Sequence, residues 1–182
     1  MSLKACILGL LSLRSMTGYE LKNTFDRSVA YNWSSSGTQI YTALKSLEQK
    51  GLVKSDLVVQ ESKPNKRVYQ ITPQGKAYLE EWLKTPMEFQ FAKDEFLVRV
   101  FFTNHIDDSQ ALQILEQHLA LMERQVQELQ NIRARVTSRP SNNPRARFYQ
   151  LMALDLRVAS LTSMIAEARR QMEQLKSFVE SK

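Results

Sequence analysis

The chain has 182 residues, 43% hydrophobic and 24% charged, a balance that excludes global disorder and a length that allows a real core. Its net charge of +6 and pI near 9.5 favour a polyanionic partner, and no run approaches the roughly 18 apolar residues of a membrane span. Cys6 is the only cysteine, which excludes an intrachain disulfide and points to a reducing compartment.

Residues 3–13 (LKACILGLLSL) predict an apolar helix buried on most sides, with Cys6 as an inert thiol on its inner face. The same stretch imitates a secretory signal, and LKAC a lipoprotein box. No apolar segment precedes Cys6, however, and no small-x-small site follows Leu13. The expectation is a soluble, cytoplasmic protein. Thr17-Gly-Tyr-Glu predicts a capping box that opens a second helix, packed through Tyr19, Leu21 or Lys22, Phe25 and Val29. After the turn NWSSSG, Ser35 or Ser36 caps a third helix. Ile40, Leu44 and Leu47 face its inside, leaving Thr38, Gln39, Thr42, Lys45 and Ser46 outward, and Gly51 stops it.

Residues 52–60 and 67–72 read as strands joined by the turn ESKPNK, whose tip carries Lys63, Lys66 and Arg67. Thr72-Pro73 starts a fourth helix that Pro86 ends. Beyond it the pattern is helical: a short aromatic-rich segment at 93–104, a long helix from Asp107-Asp108-Ser109 to about Val136, the break SRPSNNPR, and a last helix. Leu112, Leu115, Leu119, Met122, Val126 and Leu129 repeat at three and four in the first long helix. Leu154, Val158, Leu161, Ile165, Ala168, Met172, Leu175 and Val179 do so in the second, a seam of about four heptads. A helix of that length overshoots a small domain, so part of the seam is expected to meet another subunit.

Helix plus strand–turn–strand with a basic tip is how a winged helix-turn-helix meets DNA, the helix in the major groove and the hairpin on the backbone beside it. Charge agrees. Twelve of the 25 Lys/Arg but only seven of the 19 Asp/Glu precede Pro86, giving that part net +5 and the remainder +1. The fold class expected is therefore mainly α with a small β wing: a winged-helix domain at 1–86 and a helical dimerisation domain at 87–182. Gln39 suits paired hydrogen bonds to adenine, while Lys45 and the wing residues suit phosphates or guanine. Tyr41 can pack its ring inward and still reach a phosphate with its hydroxyl.

Three segments, ILGLLSLRSMTGYEL (7–21), TQIYTALKSLEQKGLV (38–53) and RVYQITPQGKAYLEEWL (67–83), resemble the PadR family of bacterial transcriptional regulators in order and spacing. The helices after them look like its longer-tailed subfamily with a virulence-activator-type helical domain. The resemblance implies that Ser36, Thr38, Gln39, Tyr41, Thr42 and Lys45 line the groove-facing side of the third helix and that Lys63, Lys66 and Arg67 are wing contacts. It also implies a homodimeric repressor in a bacterial cytoplasm, nucleoid-associated when bound, acting on a near-palindromic operator. Leu112, Leu115, Leu119, Met122, Leu154, Leu161, Ile165, Met172 and Leu175 would form the dimer. Two positions depart from the family's pattern, Thr42 where proline is common and KPNKR without the usual wing glycine. Both fall where DNA is touched, so operator preference does not carry over.

Some of the family respond to small aromatic or drug-like compounds. Trp82, Phe89, Phe96 and Phe101, with Phe91 and Phe102, are thus either an effector pocket at the domain junction or simple core. The heptad seam is either intersubunit or an intrachain antiparallel pair. His105 and His118, thirteen apart without cysteine or an acidic cluster, make no metal site, and no cofactor or catalytic constellation is expected. The rival from another class is a winged helix used as a protein-interaction module without specific DNA binding.

Overall fold

Short-range signals set the ends of the elements in the N-terminal half. The computed structural model describes residues 2–29, 35–59, 65–87, 93–138 and 140–181, and the chain divides into two units, Met1–Phe89 and Gln90–Lys182. The first unit contains α1 (Ser2–Leu13), β1 (Met16–Thr17), α2 (Gly18–Ser28), α3 (Gly37–Gln49), β2 (Val53–Val58), β3 (Lys66–Ile71) and α4 (Pro73–Lys84). Thr17 caps α2 in a capping box: its hydroxyl accepts from the Glu20 amide, and Glu20 accepts from the Thr17 amide at 2.8 Å. Gly51 ends the turn after α3 at φ 68°, a conformation costly for any residue with a Cβ.

The three strands form an antiparallel sheet in the order β1-β3-β2, with Met16 opposite Tyr69 and Val53 opposite Ile71. β2 starts at Val53, and just outside its paired residues the Thr72 amide donates to the Leu52 carbonyl at 3.1 Å. At this junction the Thr72 hydroxyl donates to the Gly51 carbonyl and accepts from the Gly75 amide. Gly75 is required there, since a Cβ would lie 2.1 Å from the Leu52 carbonyl oxygen.

α1 is the hub of this unit. Ile7, Leu8, Leu10 and Leu11 are buried with Met16, Leu21, Phe25, Ile40, Leu44, Leu47 and Val53, and Cys6 is partly buried against them. Full burial of each large side chain is worth about 1.5–3 kcal/mol. Burial also pushes the Cys6 thiol up from its ordinary pKa, as suits an unreactive packing residue. One member of the expected α2 stripe is misplaced. Tyr19 is 72% exposed, because it sits two positions from Leu21 and so on nearly the opposite side of the helix.

The second unit holds α5 (Glu95–Phe101), a 3-10 turn at Thr103–His105, α6 (Asp108–Ser138) and α7 (Pro144–Glu180), the last capped by the Asn143 side chain. Ion pairs set the register of the long helices: Arg133 with Asp155 at 2.6 Å, Glu123 with Arg169, and Glu116 with Lys176 at 4.0 Å. Numbers fall on one helix as they rise on the other, so α6 and α7 form an antiparallel hairpin.

That geometry corrects part of the dimer assignment. Leu119, Met122, Leu154, Leu161, Ile165 and Met172 are all less than 9% exposed, enclosed with Ala111 and Leu129 by the chain's own hairpin. Side chains enclosed within one chain cannot also be knobs into a second. Leu112, Leu115 and Leu175 are half-buried. The exposed apolar positions lie elsewhere on the pair, among them Phe148, Met152 and Leu156 of α7 and Leu121 of α6.

Candidate nucleic-acid interface

The N-terminus of α3 is closed by a reciprocal cap. Ser36 Oγ accepts from the Gln39 amide at 3.2 Å, while Gln39 Oε1 accepts from the Ser36 amide at 2.9 Å and from Ser35 Oγ at 3.1 Å. From that start, Ile40, Ala43, Leu44 and Leu47 turn inward, and Ser36, Thr38, Gln39, Tyr41, Thr42 and Lys45 are all exposed on the remaining surface. Gln39 differs from its expected role. Both lone-pair sites of its amide oxygen serve the cap, so a paired contact to adenine, which needs that oxygen as acceptor, requires opening the cap. Its Nε2 takes no part in the cap.

The two flanks of α3 are held by different elements. Tyr41 rests against the start of α2, where an added Cβ on Gly18 would lie 2.4 Å from Tyr41 Cε1. Glycine there admits the ring and leaves Tyr41 49% exposed. Two turns further on, the Glu48 carboxylate accepts from Ser55 Oγ of β2 and lies 3.7 Å from the Arg67 guanidinium of β3. Glu48 thereby ties the hairpin to the helix. Sequence reading missed it, and its only local signal was an acidic residue at the edge of the apolar stripe.

Lys66 and Arg67 are exposed at the start of β3; Lys63 lies outside the described residues. Arg14, Glu20 and Lys66 share one neighbourhood. The Thr17 amide, then its hydroxyl, then the charges of Arg14 and Lys66 hold the Glu20 carboxyl below its ordinary pKa. Burial raises the Tyr69 phenol, with Arg67 acting in the opposite direction. Lys22, also unforeseen, pairs with Asp26 and brings its Cε to 3.8 Å from where a Gly37 Cβ would stand. On the other flank, Lys4 Nζ donates to Ser46 Oγ at 2.8 Å, joining α1 to α3.

The aromatic residues expected to line an effector pocket are distributed over both units. Trp82 is half-buried on α4, and Phe89 and Phe91 lie outside the described residues. Within the second unit, Phe96 stacks on His118 with centroids 3.6 Å apart and lines a cleft of about 740 Å³ with Leu97, Val100, Ala111, Leu115 and Met164. Phe101 does not line it. Set five residues, and so roughly 140°, round α5 from Phe96, it is 78% exposed and meets Phe102 edge-on. Among the described residues no group of three or more His, Cys, Asp or Glu is placed to hold a metal ion, and no helix is long and apolar enough to cross a membrane.

Two family descriptions match the chain: the transcriptional regulator PadR-like family over residues 7–81 and the virulence activator alpha C-terminal domain over residues 92–176. The negative transcriptional regulator PadR of Bacillus subtilis is 30% identical over 129 residues, 70% of this chain and 71% of that protein. Its crystal structure in complex with operator DNA superimposes with a TM-score of 0.84 at 24% identity, covering 96% of this chain and 99% of that one. Its structure in complex with p-coumaric acid gives 0.80 at 22% identity, covering 97% and 99%. The fold is that of a winged helix followed by a C-terminal helical domain.

Proposed function

The chain belongs to the PadR-like family of transcriptional regulators, and from that premise we propose that it is a homodimeric, operator-specific repressor. The observation that carries the reading is the α3 surface: an exposed line of hydroxyl, amide and lysine side chains, fastened through Glu48 to a hairpin whose second strand starts with Lys66 and Arg67. Thr38, Thr42 and Lys45 enter the major groove, with Ser36, Gln39 and Tyr41 at its edges. Lys66 and Arg67, with Lys63 of the sequence between the two strands, meet the backbone. Repression accords with the negative regulator to which the chain is similar. The protein acts by binding and not by catalysis, in the bacterial cytoplasm.

Dimerisation uses the face of the α6–α7 hairpin that the chain leaves uncovered, where Phe148, Met152 and Leu156 follow one another at intervals of four on α7. Two α3 helices then reach half-sites about 34–36 Å apart on one face of the duplex. The Phe96 cleft is the place for a small aromatic or drug-like effector, which releases DNA by favouring one dimer geometry over another.

Fluorescence anisotropy of a duplex from the gene's own upstream region, against a scrambled duplex at two salt concentrations, tests the core of this. Binding tighter to the native duplex by about 10³-fold or more, weakening steeply with salt, is expected. Equal, weak and salt-insensitive binding to both would instead favour a protein-interaction module.

A further inference from the structure

Resting on that reading, we infer that the flank of α3 opposite the hairpin is a second contact site for the DNA backbone, with Lys4 and Lys50 as its cations. The geometry demands a partner there. A helix with its side chains is about 10–12 Å across and the major groove is about 12 Å wide, so a helix seated in it stands against both phosphate walls. The hairpin meets one wall. On the helical wheel Tyr41 and Glu48 occupy the flank next to it, and Gln39, Ser46 and Lys50 lie roughly 180° away.

That second flank is a built cleft of about 740 Å³ between α1, α3 and α4. Thr38 and Thr42, which also belong to the groove-facing line, form one side of it. Lys4, Ser46, Lys50 and Tyr78 line it too, together with the apolar Leu3, Ala43 and Leu52, and no acidic side chain is among the described residues that line it. Its hydroxyls and ammonium groups are all donors of the kind that phosphate oxygens accept.

The charge distribution separates the two flanks further. Beside the hairpin the cations are partly neutralised, Arg67 by Glu48 and Lys22 by Asp26. Among the described residues neither Lys4 nor Lys50 takes part in an ion pair. Lys4 is instead held in place by a neutral hydroxyl, Ser46 Oγ. Its full charge remains available to an anion, and its position is fixed before the anion arrives. Operator DNA is therefore gripped from both sides of α3.

The test is the salt dependence of duplex binding by the full chain, wild type against Lys4→Gln/Lys50→Gln. Each lost phosphate contact removes about 0.9 from the slope of log K against log salt. In the homodimer the double variant loses four such contacts and should be shallower by about 3.6, with at least a tenfold loss of affinity at low salt for native and scrambled duplexes alike. Lys4→Arg/Lys50→Arg should keep the slope, and so should Arg124→Gln/Arg135→Gln, which removes two charges from α6. An unchanged slope in a Lys4→Gln/Lys50→Gln protein that melts like wild type overturns the inference and leaves the DNA-binding reading standing. Absence of salt-dependent binding by the wild type overturns both.

Discussion

Leu129→Ala and Phe148→Ser/Leu156→Ser should fail in different ways, because the first lies inside the α6–α7 hairpin and the second on its surface. Leu129 is 1% exposed, and among the described residues only eight apolar side chains of this unit are buried at all, each less than 9% exposed. Truncating such a leucine costs about 2–5 kcal/mol through lost transfer energy plus the cavity left behind. Against a typical domain stability of about 5–15 kcal/mol, that is a large fraction. Phe148 and Leu156 are 63% and 65% exposed, and substitutions at such positions change the stability of a monomer by about 0.5 kcal/mol or less. Urea unfolding at a series of chain concentrations, paired with sedimentation equilibrium, separates the two effects. Leu129→Ala should lower the unfolding free energy equally at every concentration. The surface double variant should raise the dimer dissociation constant and alter only the concentration-dependent part. If Leu129→Ala instead dissociates the dimer and leaves the monomer's stability within about 0.5 kcal/mol, the seam is intersubunit and the antiparallel assignment is wrong.

Gly75→Ala should destabilise the first unit by about 1–3 kcal/mol or more, since its Cβ meets the Leu52 carbonyl oxygen at 2.1 Å. Gly9→Ala, with nothing within 4 Å, should gain about 0.5–1 kcal/mol of helix propensity; equal melting temperatures for the two variants would contradict the packing at α4. Gln39→Glu keeps the cap and adds an anion to the first turn of α3, so it should stabilise the helix by about 0.3–1 kcal/mol. The same change should weaken operator binding about tenfold or more; unchanged anisotropy titrations would remove Gln39 from the interface. Hydrogen bonds from Arg170, then Gln171, hold the Glu167 carboxyl at about 2, well below its ordinary value of 4.5. Its contribution to stability is thus fully present above about pH 4.5 and is lost as the pH falls through about 2. A carbon-13 titration should find that midpoint, and Arg170→Gln should move it up toward the ordinary value; a midpoint indifferent to Arg170 would show that the pair does not form in solution.

Features encoded over four residues or fewer were legible in the sequence: the Thr17–Glu20 capping box, a serine cap at 35 or 36 that falls on Ser36, the Thr72-Pro73 start and the Gly51 stop all depend on local hydrogen bonds and backbone angles. What depended on distant partners was not. β1 is two residues long, and its partners Val68 and Tyr69 lie about fifty positions away, so neither alternation nor a turn announces it. Periodicity in α6 and α7 showed that one face of each is buried, but a heptad pattern is the same whether the covering helix belongs to one chain or to another. The discriminating signal was electrostatic. Opposite charges at 133 and 155, 123 and 169, and 116 and 176 have nearly constant sums of residue numbers, as only an antiparallel pair does.

The candidate site was legible as a surface and illegible as a mechanism, and the reason lies in how α3 is held. Outward positions follow from the inward ones, so Thr38, Thr42 and Lys45 could be placed by counting. Whether an outward side chain is available to DNA depends on what already engages it. Gln39 closes the N-terminal cap and Glu48 holds the hairpin, so side chains near each end of the helix fix it to its surroundings. These constraints limit the adjustment left for binding, and a helix so fixed would lose little freedom on entering a groove, as the proposed function has it. They also limit direct readout, because opening the cap to free Gln39 Oε1 exposes backbone donors. On the function proposed above, base discrimination falls chiefly to Thr38, Thr42 and Lys45 of the outward face, and affinity to the lysines and arginine on the flanks of the helix.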